Sequence, residues 1–465
     1  MRSRGERAGA DRHRRWLLVL ALVLAPLTTL RLYAVDEIQY FAYLRSIVFD
    51  ADLDFTNEYQ WFIDRDPTEY KLFANSVLAL RTPAGRPPNN APIGSAILWA
   101  PFYLATVGTE SLLGAASSPP GYSRADLSAV CLASMLYGVL GLLLTHEACL
   151  RFSSPRPAFW ATVLTWLATN LLFYMYVTPP MSHASSFFAA ALLLWVWLRS
   201  EESPRAGFLI GLVGGLVASV RSQDVLLLLA PLSSVLWSGG LRDRSRRARV
   251  AAWIAAIGAG FLLAFLPQLA AWQVLNGSPT PFGVTSVKGR FALTARHLPG
   301  VLFSPFHGLL LWSPILLPAF IGLALLCASD GRGKAMALAV AAELYLISGY
   351  AIAFGQGFGQ RLFISSLPIA TVGLAVFAER VAPRLPRAAV AGAGAAALWW
   401  NLSLIVQYST GMIPRNEGVS LRELVHNQLI GVPQRLPEVV DRYLFDRRSL
   451  YKVDPLRSAS DGLPR

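Results

Sequence analysis

Apolar runs of membrane-spanning length recur along this chain from residue 16 to residue 410, and they limit what it can fold into more than any other feature. A helix needs roughly 20 apolar residues to cross a bilayer core. No water is present there to satisfy exposed backbone groups, so runs of this kind fold as helices. At 54% hydrophobic residues, 15% charged residues and a mean hydropathy of +0.44, the composition lies outside the range of a soluble domain. The expected fold is an all-α polytopic membrane protein. About 11 transmembrane helices are expected, at 16–34, 126–148, 157–177, 184–198, 206–220, 224–240, 249–275, 307–327, 335–353, 362–378 and 388–410.

A further apolar run, 92–114, is resolved by charge. Short cytoplasmic loops carry the excess of Lys and Arg. With the basic N-terminus (Arg2, Arg4, Arg7, Arg12, Arg14, Arg15) inside, counting 92–114 as a span would export RDRSRRAR at 242–249, the most basic connection in the chain. Reading it as a helix in the outer leaflet keeps that loop inside, with Arg151 and Arg156, Arg199 and Arg205, Arg332 and Lys334, and Arg380, Arg384 and Arg387. The expected organisation is a basic N-terminus at 1–15, a transmembrane domain at 16–410, and a polar, partly disordered external tail at 411–465. Within the membrane domain, 35–125 and 276–306 are large external loops, the first carrying membrane-surface helices. The net charge of +13 is therefore an orientation signal, and nucleic acid is set aside as a partner. The abundance of Arg over Lys suits a GC-rich bacterial genome. The first run lacks a small-residue cleavage site and reads as an anchor. Cys131, Cys149 and Cys327 lie in or beside apolar runs and read as core residues.

This topology, fixed by arginines in the opposite loops, puts every polar cluster on one side. VDEIQYFAYLRSIVFDADLDFTNEYQW, 35–61, leaves the first span with adjacent carboxylates Asp36 and Glu37. Asp36 is a base, ligand or ion-pair partner at the membrane surface. It is equally a helix cap, since Gln39 three residues on completes a capping-box pattern, and the roles are compatible. Arg221 in VRSQD and Arg361 in FGQR stand at span ends, where an Arg either lines a wet cavity or snorkels to the head groups. Lys288 and Arg290 in SVKGR are external cations that solvation alone would explain. His183, His297 and His307 show no metal-ligand spacing. Asp50, Asp52, Asp54 and Glu58 could attract a divalent ion, but Phe55 occupies the position where an EF-hand needs Gly, so a solvated turn is the simpler reading. Tyr40, Tyr43, Tyr59, Trp61, Trp99 and Tyr103 could stack on a sugar, hold an isoprenoid chain or form an interfacial belt.

The ordered set VDEIQYFAYLRSIVFDADLDFTNEY, APIGSAILWAPFYL, PPMSHASSFF, VRSQDVLLLLAP, LFSPFHGLLLWSPILL and GQGFGQRLFISSLP, over most of 16–380, resembles the GT-C superfamily of membrane glycosyltransferases. That superfamily includes protein O-mannosyltransferases and the lipid A aminoarabinose transferase, and the likeness is to a bacterial branch of it. The resemblance implies a polyprenyl-phosphate-linked sugar donor, an extracytoplasmic glycan, lipid or protein acceptor, and the cytoplasmic membrane as location. It implies that the carboxylate after the first span is the general base, which falls on Asp36 with Glu37 as fallback. A single base with direct displacement would invert the anomeric centre. The leaving lipid phosphate needs cations, for which Arg221 and Arg361 rank first and Lys288 and Arg290 second. His183 and His307 are expected to orient phosphate or acceptor. The resemblance fixes no cofactor, and a divalent metal stays open. The competing class is a transporter or flippase of a lipid-linked saccharide. It would bury ionisable groups at mid-membrane, where Glu343 is the clearest acid.

Overall fold

The structure is a computed structural model that describes residues 4–238, 243–281, 294–350, 357–414 and 418–447. Among them the regular elements are helical. The principal helices are α1 (Arg4–Leu24), α2 (Val35–Arg45), α3 (Thr56–Arg65), α4 (Gly94–Leu112), α5 (Arg124–Cys149), α6 (Pro155–Leu167), α7 (His183–Arg199) and α8 (Pro204–Val220). They continue with α9 (Leu229–Trp237), α10 (Arg244–Asn276), α11 (Leu316–Ser329), α12 (Gly331–Gly349), α13 (Leu367–Arg380), α14 (Arg387–Ser409) and α15 (Val432–Phe445).

Four stretches, Arg124–Cys149, Arg244–Asn276, Arg361–Arg384 and Arg387–Ser409, are long and apolar enough to cross a membrane, and four shorter apolar helices accompany them. Helix starts are written in local polar chemistry. Ser123 and Asp126 cap α5 reciprocally at 2.9 and 3.0 Å. Asp243 and Asp330 accept from the first free amides of α10 and α12. The helices pack closely where side chains vanish: a Cβ on Gly211 of α8 would lie 2.1 Å from the Ile257 carbonyl oxygen of α10, and one on Gly322 of α11 would lie 1.9 Å from that of Gly373 on α13.

Several expected spans are interrupted. The run 16–34 is α-helical only to Leu24: it tightens into a 3-10 turn at Ala25–Leu27, where Pro26 lacks the N–H that an α-helix would use, and leaves helical conformation from Thr28. The run 157–177 breaks at 168–170 into α6 and a short helix, Leu171–Tyr176. The run 307–327 begins with His307 at φ +62°, breaks near Pro314 and is continuous only over α11. Within the tail, Leu421–His426 and α15 are helical, with Leu436, Val440 and Leu444 exposed along one side of α15, while 415–417 and 448–465 lie outside the described residues.

The segment after α1 folds over its own aromatic core. Tyr43, Phe55, Tyr59, Phe73, Trp99 and Tyr103 are buried in it. Tyr43 meets Phe55 at 5.0 Å, Tyr59 meets Phe73 at 4.8 Å, and Trp61 stacks on Tyr122 at 4.2 Å. Sugar stacking and an interfacial belt are therefore corrected for these rings: they pack a small domain core. The acidic stretch is likewise only partly solvated. Asp52 and Asp54 cap turns, accepting from Asp54 N and Thr56 N, while Glu58 is fully buried and accepts from buried Arg45 at 2.9 Å, with Asp50 on the same guanidinium.

Glu37, the third residue of α2, closes the helix start. Its Oε2 accepts from the Tyr33 and Ala34 amides at 2.8 and 2.9 Å, which replaces the expected Asp36–Gln39 capping box. Burial pushes the Glu37 carboxyl up to about 7, against the pull of the two amides and with the neighbouring Asp36 charge adding to the rise.

Arg45→Met strands Glu58 without its partner and is expected to cost about 3–5 kcal/mol of stability, measured by unfolding in detergent, with Asp50→Asn costing much less. Glu37 holds a proton in the folded state at pH values where the unfolded chain, near 4.5, has lost it. Its contribution is full below 4.5 and lost as pH rises through about 7. The thermal midpoint should fall across that window, and Glu37→Gln should flatten the slope.

Candidate functional site

With Glu37 closing the helix, its neighbour is left to face a cavity. Asp36 Oδ2 accepts from Arg361 NH1 at 3.0 Å, an ion pair across 325 residues of sequence, with the Asp36 side chain 47% exposed and that of Arg361 23%. Gln39, three residues on, binds the irregular segment before α4: its Oε1 accepts from Asn90 N, and its carbonyl accepts from Asn89 Nδ2, each at 2.9 Å. Gly94 then allows α4 to meet the end of α8, since a Cβ there would lie 2.4 Å from Val220 N. The residue after Val220 is Arg221, so this contact sets Asn90 and Pro92 beside a second arginine.

Arg221 ends α8 in extended conformation, φ −149°. Its NH1 donates to Ser182 Oγ at 3.3 Å and to His183 Nδ1 at 3.1 Å, and Ser182 donates onward to Tyr40 OH at 2.8 Å. A guanidinium has only donors, so His183 Nδ1 is the acceptor and the imidazole proton resides on Nε2. The Tyr174 ring packs on His183 at 4.2 Å. Beneath the guanidinium, Asp224 Oδ1 lies 4.0 Å from Arg221 Nε, and Asp224 Oδ2 accepts from Ser186 at 2.6 Å. Glu343 accepts from Ser365 at 3.1 Å, and both carboxylates are buried.

Arg361 is presented by a turn in which Gly359 takes φ +62°. The preceding Phe358 stacks on Phe173 at 4.5 Å and donates its amide to Tyr174 OH at 2.9 Å. Gln223 Nε2 donates to the Leu362 carbonyl at 3.1 Å, which ties the two arginine-bearing turns together. The result is a cavity of about 290 Å³ walled by Asp36, Gln39, Tyr40, Asn90, Arg221 and Arg361. It offers one accessible carboxylate, two guanidinium groups and a rim of amides and phenols, a set suited to a phosphate and a polyhydroxylated group side by side.

The remaining sequence expectations fall elsewhere. His183 stands behind Arg221 and is fully buried. His307 is 1% exposed, packed against Trp312 at 4.6 Å and Phe306 at 4.3 Å, and is not one of the cavity-lining residues. His297 precedes a short helix, Leu298–Phe303. Lys288 and Arg290 lie outside the described residues. Among the described residues no group of three or more His, Cys, Asp or Glu could hold a metal ion. Sequence reasoning missed Gln39 and Asn90 as wall residues, and Ser182, Ser186 and Asp224 as supports. Asp224 lies inside VRSQD, Ser182 and Ser186 inside PPMSHASSFF, and Gln39 reads as a capping partner, but the sequence assigns none of them to the site.

No protein-family model matches the chain, and no curated protein does. Among solved structures, the crystal structure of ArnT from Cupriavidus metallidurans bound to undecaprenyl phosphate is similar, with a TM-score of 0.55 and 14% identity, over 95% of this chain and 73% of that one. At that identity the likeness carries the fold alone: among the described residues this chain has an all-helical fold similar to that of ArnT, with four stretches long and apolar enough to cross a membrane.

Proposed function

We propose that this protein is an integral membrane glycosyltransferase that moves a sugar from a polyprenyl-phosphate-linked donor to an acceptor of the cell envelope. The observation that carries the reading is the Asp36–Arg361 pair at 3.0 Å on the wall of a cavity that also holds Arg221. The reaction takes place at the external face of a bacterial cytoplasmic membrane, with residues 1–15 inside, 16–410 in and over the membrane, and 35–125, 276–306 and 411–465 outside.

In this mechanism an acceptor hydroxyl attacks the anomeric carbon as the bond to the phosphate oxygen breaks. The departing electron pair stays on the lipid phosphate, the hydroxyl proton passes to the Asp36 carboxylate, and the anomeric centre inverts. Arg221 and Arg361 take up the growing phosphate charge. Without donor, Arg361 neutralises Asp36. An incoming phosphate competes for that guanidinium, which releases the carboxylate to act as base, so donor binds before acceptor. His183 and Ser182 hold Arg221 in position. Glu37 is not the base, because its carboxylate closes α2. Lys288 and Arg290 extend the donor contacts from the second loop.

One observation favours transport of a lipid-linked saccharide instead. Asp224 and Glu343 are both buried among the helices, the arrangement an ion-coupled carrier requires. Arg221 lies 4.0 Å from Asp224, and one serine hydroxyl donates to each acid. The transferase reading is preferred because the accessible carboxylate and both guanidinium groups line the cavity, whereas these two acids do not.

The test uses purified protein in proteoliposomes with radiolabelled polyprenyl-phosphate sugars and a cell-envelope extract, scoring free lipid phosphate. Acceptor-dependent release is expected, and Asp36→Asn should lower turnover by roughly 10²–10⁴-fold while the protein stays folded. Arg221→Gln and Arg361→Gln should raise the donor KM about tenfold or more, with little change in acceptor KM. Labelled lipid crossing the bilayer with its sugar intact would establish the carrier instead.

A further inference from the structure

A second groove, of about 320 Å³, lies where α1 ends, and it shares no lining residue with the Asp36 cavity. Its walls come from the turn and extended stretch after α1 (Pro26, Thr28, Leu30, Arg31), from Leu132 of α5, and from Arg447 just beyond α15. Arg447 NH2 donates to the Pro26 carbonyl at 3.0 Å, and its guanidinium lies 4.1 Å over the Tyr443 ring, while Tyr443 OH donates to the Leu27 carbonyl at 3.2 Å. The guanidinium of Arg31 lies 5.5 Å over Tyr33. Each arginine has five N–H donors, and these contacts leave most of them for a ligand. Thr28 is only 3% exposed, and its hydroxyl has no hydrogen-bond partner among the described residues. The lining contains no carboxylate among the described residues.

The surroundings are apolar and outward-facing. Leu22 and Val23 on α1, Leu30 and Leu132 in the groove wall, and Leu436, Val440 and Leu444 on α15 are all exposed large hydrophobic side chains. In a membrane protein such a surface meets acyl chains. The groove thus joins a hydrocarbon-facing mouth to two guanidinium groups and an unpartnered hydroxyl.

We infer that this groove is a seat for an anionic bilayer phospholipid of phosphatidylglycerol type. Arg31, Arg447 and Thr28 bind its phosphate, and Leu30 and Leu132 receive the start of an acyl chain. Planar arginine forks match phosphate oxygens. An ethanolamine or choline head would bring an ammonium group to a lining with two arginines and no acid, which selects for a head of net negative charge. The bound lipid fastens α15 to the end of α1, alongside the Arg447 and Tyr443 bonds.

The test is native mass spectrometry of the full-length protein released from micelles containing equal amounts of phosphatidylglycerol and phosphatidylethanolamine, with undecaprenyl phosphate or inorganic phosphate added in separate arms. Preferential retention of phosphatidylglycerol is expected. It should drop at least tenfold in the Arg31→Gln, Arg447→Gln double variant and several-fold in Thr28→Val. Phosphatidylglycerol should also raise the thermal midpoint of the wild type. If the double variant does not fold, Arg447→Lys, which keeps charge without the fork, should show a partial loss. Equal retention in wild type and variants, no preference over phosphatidylethanolamine, or displacement by undecaprenyl phosphate or inorganic phosphate would each overturn the inference. Since the two cavities share no residue, failure here leaves the transferase reading standing.

Discussion

The carboxylate of Glu37 at the start of α2 is the interaction on which the arrangement depends. Helix α2 emerges from an extended stretch with unpaired amides at its first turn, and Glu37 satisfies two amides just before it. Asp36 is thereby released from helix-capping duty. Two acidic residues adjacent in sequence diverge by a helical rotation of about 100°, so one is buried against its own backbone while the other faces the cavity. The Asp36–Arg361 pair, the alignment of Gln39 with Asn90 and the contact of Tyr40 with Ser182 all follow from that orientation of one helix.

The cations of the cavity are held by structure from several helices. Arg221 is gripped from one side by Ser182 and His183 at the start of α7 and from below by Asp224, while Arg361 rests on a glycine turn stacked against Phe173. Burying charge among apolar helices costs several kcal/mol per ion unless hydrogen bonds and opposite charges surround it. Here hydroxyls, an imidazole acceptor and carboxylates provide that compensation for the two guanidinium groups that line the cavity. The same principle operates in the first loop, where Arg45 is buried between Glu58 and Asp50.

Two of the three breaks in the expected spans lie at a proline, and the third, at 168–170, contains none. Pro26, the 168–170 turn and the Ser313–Pro314 step interrupt apolar runs that hydropathy alone reads as continuous. Hydropathy averages over a window and is blind to a single backbone constraint, whereas a proline removes a donor and restricts the residue before it. The aromatic residues of 35–125 show the complementary limit. Tyr43, Tyr59, Trp99 and Tyr103 carry the composition of an interfacial belt, yet they pack on one another, because a segment folding over a membrane domain needs a core of its own.

The sequence by itself determined that this chain is helical and membrane-embedded, since twenty-residue apolar runs leave no other solution in lipid. Its motifs also marked Asp36, Arg221 and Arg361 as residues of interest, because charge beside an apolar run is costly enough to stand out. What only the tertiary structure decided was which of these groups meet. Residues 36, 221 and 361 converge on one cavity, His307 turns into aromatic packing, and Glu37 closes a helix, because those outcomes depend on helix rotation and on contacts across hundreds of residues. The sequence does not single out Asn90 and Ser182, and it marks Gln39 only as a capping partner, since an uncharged polar residue shows no cavity role until its partner is in place.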